Sequence, residues 1–174
     1  MISPYRSASS PLNSSKDITR FCRFIRMLSE RGSNMQAEDW KAISKIRLER
    51  AIEFYEDAVA LYNQERYRSA ASRLYFAVFH AMRAVLALDG IDRKHHSGII
   101  SEFRRLYVKT GIFDREASGI IASVSLMRHD SDYDDYIPIE KEDLEEMLPQ
   151  VEKLITSVKE YLEPILAEGN QSAE

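Results

Sequence analysis

Residues 66–88 have the sequence RYRSAASRLYFAVFHAMRAVLAL, and its residue pattern indicates the fold class. Its apolar residues recur at spacings of three and four, which is the repeat of one buried side of an α-helix. The residues expected to face inward are Ala71, Leu74, Tyr75, Val78, Met82, Val85 and Leu86. Asp89-Gly90 follows, and glycine suits the left-handed residue just past a helix end. We therefore expect a buried helix from about Arg66 to Leu88.

Four further segments on either side have helical periodicity. They run from Ala37 onward, from about Ser97 to Lys109, from about Asp114 to Arg128 and from about Glu140 to Leu166. In the first, the expected inward stripe is Leu48, Ile52, Tyr55, Val59 and Tyr62, and a loop at Ser131–Pro138 precedes the last. No segment alternates between apolar and polar residues as a strand would. The sequence predicts an all-α fold, an antiparallel up-and-down bundle of four long helices plus one shorter helix.

The 174 residues fit one domain with flanking segments. Residues 1–34 begin with a Ser-rich stretch and are expected to form a flexible N-terminal arm that is dispensable for folding. The bundle is expected to span residues 35–167, followed by a disordered tail at 168–174. A single cysteine, Cys22, rules out an internal disulfide, and no apolar run is long enough for a bilayer span. No membrane association and a cytoplasmic location are expected.

Charge is strongly segregated along the chain. Residues 66–115 contain ten Lys or Arg against four Asp or Glu, whereas residues 130–174 contain three against fourteen. A basic middle and an acidic end are compatible with RNA binding, with an acidic partner surface, or with contact between two subunits. Solvent-exposed faces on separate helices would give the same charge pattern. The distribution of charge therefore does not distinguish between these functions.

The densest group of polar residues is RHDSDYDDY, from Arg128 to Tyr136. Its spaced aspartates resemble the start of a calcium loop, but Asp135 stands where that loop needs Gly and Lys141 where it needs Glu. No pair of ligands has the helical spacing of a zinc site, and no phosphate-binding glycine loop or nucleophile elbow is present. The sequence therefore predicts neither a metal site nor a cofactor.

With metal sites excluded, Arg128 is the residue around which this segment could perform chemistry. The planar guanidinium of Arg128 could hold a phosphate, while a nearby His or Tyr exchanges a proton with a hydroxyl or a leaving oxygen. The alternative is a structural pair between Arg128 and Asp132, one helical turn later. Arg73 and His80 are seven residues apart and therefore lie on the same face of the helix. This face could line a groove that binds phosphate, or it could lie at the boundary of the core.

Three ordered motifs resemble the HEPN family. They are RSAASRLYFAVFHA at residues 68–81, KHHSGI at residues 94–99, and Arg128-x-x-x-Asp132-Tyr133. The likeness covers about residues 37–165 and is greatest to small stand-alone prokaryotic members. It implies a helical bundle, a homodimer, and a role in toxin–antitoxin modules beside a minimal nucleotidyltransferase that in some modules adenylylates a Tyr near the motif.

Several members of that family look like metal-independent ribonucleases, with an Arg followed four to six residues later by a His. The Arg corresponds to Arg128, but the His has no counterpart, because positions 133–135 are Tyr, Asp and Asp. The resemblance makes Arg128, His129 and Tyr133 the candidate catalytic residues. The candidate nucleotide-binding or RNA-binding residues are Arg73, His80, His96, Asp132 and Tyr136.

Two classes of function follow. The first is a binding protein that holds a nucleotide, an RNA phosphate or a nucleotidyltransferase partner through Arg128. The second is a metal-independent endoribonuclease toxin in which Tyr133, His129 or a His from elsewhere replaces the missing acid–base group.

Overall fold

The computed structural model describes residues 37–133 and 139–167, with side chains described at 38–128 and 139–167. The expected N-terminal arm, the C-terminal tail and Tyr136 lie outside the described residues, so the predicted domain boundaries stay predictions. The helices are α1 (Ala37–Asn63), α2 (Tyr67–Ala87), α3 (His96–Phe103, extended by a π-turn at Arg104–Val108), α4 (Glu116–Tyr133) and α5 (Lys141–Ala167). Because the described residues contain helices and no strand, the predicted all-α class is confirmed.

Helix α2 lies at the centre of the bundle and contacts each of the other four helices. The seven residues expected to face inward on it are all buried. It ends where the sequence predicted, since Gly90 follows with a φ of +67°. A Cβ at that position would stand 3.4 Å from Nε1 of Trp40, so both the backbone conformation and the close indole favour glycine.

Helices α1 and α2 run antiparallel. Ser44 donates a hydrogen bond to the carbonyl oxygen of Ala84, with an Oγ–O distance of 2.8 Å, while the ring of Phe54 stacks on Phe76 farther along. Residue numbers thus rise on α1 as they fall on α2. Small side chains on both helices allow this close approach: Ala51 and Ala58 on α1 and six alanines on α2 are almost fully buried.

The prediction of which residues of α1 face inward was only partly correct. Leu48 is buried, but Ile52, Tyr55, Val59 and Tyr62 are half-buried. Tyr55 and Val59 line an open groove of about 670 Å³ between α1 and α5. The deepest side of α1 instead carries Ile43, Ser44, Arg47, Ala51 and Ala58. Ser44 and Arg47 are buried because the bundle supplies hydrogen-bond acceptors for both.

Helix α4 extends farther than expected. The sequence placed its end at Arg128 and a loop from Ser131, whereas the helix continues to Tyr133. Its last residues are polar, so they carry no apolar stripe, but no Gly or Pro occurs before Pro138 to stop the helix. Asp132 consequently lies one helical turn beyond Arg128 on the same helix. None of the described helices has the length and apolar character needed to span a bilayer.

Candidate functional site

Three helices bring polar groups together around Tyr75. Tyr75 lies on α2, His96 is the first residue of α3, and Arg128 lies in the last turns of α4. The guanidinium carbon of Arg128 lies 4.9 Å from the centre of the Tyr75 ring and 5.4 Å from that of Phe76. A guanidinium stacked over aromatic rings is held flat and loses few further rotamers when it binds a ligand. We call Tyr75, Phe79, His96 and Arg128 the Arg128 corner.

His96 has a fixed position in this corner. Its Nδ1 lies 2.6 Å from the phenol oxygen of Tyr75, and its ring stacks on Phe79 with 4.2 Å between ring centres. Tyr75 is buried, whereas His96 is exposed to solvent. The imidazole is therefore anchored on one edge and one face and remains accessible to a ligand.

The electrostatics of the corner keep His96 neutral. Partial desolvation of the imidazole lowers its pKa from the usual 6.5, and the positive charges of Arg128 and Arg83 lower it further. At neutral pH one ring nitrogen is consequently a donor and the other an acceptor. Burial raises the pKa of the Tyr75 phenol, an effect partly offset by the charge and the hydrogen bond of Arg128.

A partly buried ion network positions Arg83 beside the corner. Asp92 accepts hydrogen bonds from Arg83 at 2.7 Å and from Arg47 at 2.8 Å, and Arg47 also donates to the carbonyl oxygen of Arg83 at 3.1 Å. The side chain of Arg47 is only 1% exposed. The guanidinium of Arg83 lies 5.7 Å from the centre of the Phe79 ring, on which His96 also stacks. The network thus holds a second cation near His96.

Arg73 and His80 meet at a different ring. The imidazole of His80 stacks on Phe54 at 5.2 Å, and the Arg73 guanidinium lies 5.4 Å from the centre of the same ring. The expectation that these two residues share a face agrees with this geometry. Burial, followed by the charges of Arg83, Arg47 and Arg50, lowers the pKa of His80 to about 3. His80 is therefore a neutral boundary residue behind the corner.

Apart from Arg73 and His80, the sequence-derived candidates on α3 and α4 divide into two groups. Arg128 and His96 come together, although 31 residues separate them in the chain. His129, Asp132 and Tyr133 lie in the last turns of α4, and their side chains are outside the described set. Within the described residues, no three His, Cys, Asp or Glu side chains form a group that could hold a metal.

Sequence reasoning missed the role of Tyr75. Tyr75 was assigned to the core, and it is indeed buried, but its hydroxyl reaches His96. The available signal was the spacing of Tyr75, Phe79 and Arg83, which are four residues apart and therefore lie along one face of α2.

Comparison with known proteins agrees with the motifs. The model of the HEPN domain matches residues 44–161, which include Tyr75, His96 and Arg128. A protein of Methanocaldococcus jannaschii named "Putative toxin MJ0142" is 34% identical over 66% of this chain and 78% of its own length. A second from that organism, "Putative toxin MJ0605", is 30% identical over 68% of this chain and 88% of its own. A "UPF0332 protein" of Thermotoga maritima is 29% identical over 67% of this chain and 88% of its own. With the family model matching more than half of its length, the chain belongs to the HEPN domain family.

Proposed function

We propose that this HEPN protein is the toxin-like member of a toxin–antitoxin module and that its Arg128 corner binds a phosphate group of a nucleotide or an RNA. The observation that carries the proposal is the Arg128 guanidinium stacked over Tyr75 beside a neutral, accessible His96. Two relatives named as putative toxins support the toxin-like role.

Phosphate suits this corner for electrostatic reasons. A guanidinium offers several N–H donors in a plane that matches the oxygens of a phosphate. Arg83 adds positive charge from α2, and the whole segment 66–115 is basic. These cations offset the acidic run Asp130–Asp135 that follows Arg128 in sequence, which would otherwise repel an anion.

Binding of ribonucleotides tests the proposal. Fluorescence anisotropy with a labelled RNA of about ten nucleotides, and calorimetry with AMP, should show binding that weakens as salt rises. Arg128→Ala should weaken it about 10- to 100-fold, because a charge-assisted hydrogen bond contributes about 1.5–3 kcal/mol. The matched control is Arg105→Ala, an exposed arginine paired with Glu102 on α3. Equal affinity of the wild type and Arg128→Ala would contradict the proposal.

The partner of this protein is proposed from the family resemblance. We expect a cytoplasmic homodimer that associates with a minimal nucleotidyltransferase, and the hydroxyl of Tyr133 or Tyr136 is the acceptor for a nucleotidyl group. Mass spectrometry after coexpression with a nucleotidyltransferase encoded beside this protein should find one added nucleotide on one of these tyrosines. Both tyrosines unmodified in the presence of a confirmed partner would remove the acceptor role.

Metal-independent endoribonuclease activity is the second candidate function. The family's usual His is missing from the Arg motif, but His96 stands in the same corner as Arg128. Induction of the wild type should then arrest growth, and Arg128→Ala should restore it. Growth arrest by both proteins alike would place the toxicity elsewhere in the chain.

A further inference from the structure

We propose that His96 accepts the proton of an RNA 2′-hydroxyl at the Arg128 corner and that Tyr75 positions its ring for this transfer. The proposal deepens the second candidate function and rests on phosphate binding by Arg128. It assigns the acid–base role to His96 on α3, which lies outside the family's motif of an Arg followed four to six residues later by a His.

The geometry leaves one nitrogen of His96 available. Nδ1 is engaged by the Tyr75 phenol oxygen, and the ring face is covered by Phe79. Among the described side chains none hydrogen-bonds to Nε2, and His96 is exposed to solvent. A base held in this way needs no reorientation before it meets a substrate.

Tyr75 can support the required tautomer. A phenol oxygen has two lone pairs, so it can accept one hydrogen bond from Nδ1–H of His96 and one from Arg128. With its proton on Nδ1, His96 presents the lone pair of Nε2. The same phenol oxygen stabilises the imidazolium that forms after proton transfer, as the orienting group of a catalytic triad does.

Charge favours a base rather than a permanent cation at this position. Partial desolvation lowers the pKa of the imidazole, and the charges of Arg128 and Arg83 act in the same direction. His96 is therefore ready to accept a proton at pH 7, while Arg128 neutralises the phosphate under attack. His80 does not fit the role, because it is packed on Phe54.

The reaction is a transesterification that balances without an added reactant. Nε2 of His96 takes the 2′-hydroxyl proton, and the 2′-oxygen attacks the adjacent phosphorus. The bond from phosphorus to the 5′-oxygen breaks, and that oxygen receives the proton back from His96 or from water. The products are a 2′,3′-cyclic phosphate and a free 5′-hydroxyl, and Arg128 bears no proton change.

The test is single-turnover cleavage of a labelled RNA oligonucleotide by the full chain with EDTA present. His96→Gln should slow cleavage at least about 100-fold, which is the usual contribution of a general base. The matched control is His95→Gln, because His95 is the exposed neighbour of His96 and makes no capping hydrogen bond with its side chain. His129→Gln tests the alternative in which the histidine next to Arg128 in the sequence is the base, and a loss of cleavage in that variant with none in His96→Gln would overturn the inference.

Rescue by imidazole separates a proton acceptor from a merely structural residue, and two further readouts identify the reaction as attack by the 2′-hydroxyl. Exogenous imidazole should restore cleavage by His96→Ala, the product should carry a 2′,3′-cyclic phosphate, and a 2′-deoxy nucleotide at the cleaved position should block the reaction. Tyr75→Phe should lower the rate and change the acid limb of the pH profile, because Nδ1 loses its partner. Circular dichroism confirms that each variant is folded.

Two results would overturn the inference. One is cleavage by His96→Gln at the wild-type rate, and the other is a wild type that binds RNA through Arg128 without cutting it. In the second case the proposal of phosphate binding survives. If Arg128→Ala and the wild type bind RNA equally, both proposals are wrong.

Discussion

Asp92→Ala would remove the carboxylate that pairs with the buried Arg47 and the partly buried Arg83, and the geometry of these pairs sets the size of the effect on stability. Asp92 lies 2.8 Å from Arg47 and 2.7 Å from Arg83, nitrogen to oxygen. The side chain of Arg47 is 1% exposed, so water cannot replace the lost partner. Burial and the neighbouring Arg83 already lower the pKa of Arg47 to about 10, with Asp92 offsetting part of that cost.

The expected loss is a large fraction of the total stability. Removing one partner of a buried ion pair costs about 3–5 kcal/mol, because it leaves a charge without compensation. We expect a value near the lower end, about 3 kcal/mol, because Asp92 is partly exposed and Arg47 keeps the carbonyl oxygen of Arg83. For a chain of this length the melting temperature should fall by about 6–12 °C.

Urea unfolding followed by circular dichroism measures the change. The midpoint should fall while the slope stays constant, since the surface exposed on unfolding is unaltered. Arg93→Ala is the control, because Arg93 forms an exposed ion pair with Glu102 and its loss should not shift the midpoint measurably. The double variant Arg47→Met with Asp92→Ala should recover part of the loss, since neither buried charge remains. An unchanged midpoint in Asp92→Ala would show that the desolvated Arg47 does not depend on the Asp92 carboxylate.

Two further predictions follow from the same structure. The depressed pKa of His80, about 3 when folded against about 6.5 when unfolded, contributes stability that is fully present above pH 6.5 and is lost as the pH falls toward 3. The free energy of unfolding, taken from urea titrations between pH 7 and pH 4, should therefore fall less steeply with pH in His80→Phe than in the wild type. The difference in slope is at most about 1.4 kcal/mol per pH unit, and parallel curves would contradict the burial of a neutral His80. The basic segment 66–115 and the acidic segment 130–174 predict a partly electrostatic homodimer, so light scattering at moderate salt should give about twice the 20.1 kDa chain mass, and a monomer at micromolar concentration would refute it.

Most of the fold could be predicted from residue order alone. Helix α2 was placed within one residue at each end, because its apolar spacing is regular and Gly90 ends it. The family was also identified from three motifs, and the comparison with the HEPN model confirmed it. The prediction for α1 was less accurate because buried Ser44 and Arg47 look like surface residues until their acceptors are known.

The helical class and the core face of α2 follow from the order of residues, as does the presence of an arginine of the kind that binds phosphate. The approach of His96 and Arg128 to Tyr75 depends instead on how the helices pack. Periodicity tells which side of a helix is buried, but it does not tell which helix lies opposite. The start of α3 and the end of α4 converge because both pack against α2, and that packing depends on contacts between residues far apart in the chain. The same contacts set the burial and the neighbouring charges that keep His96 neutral, so its chemistry is a property of the folded bundle.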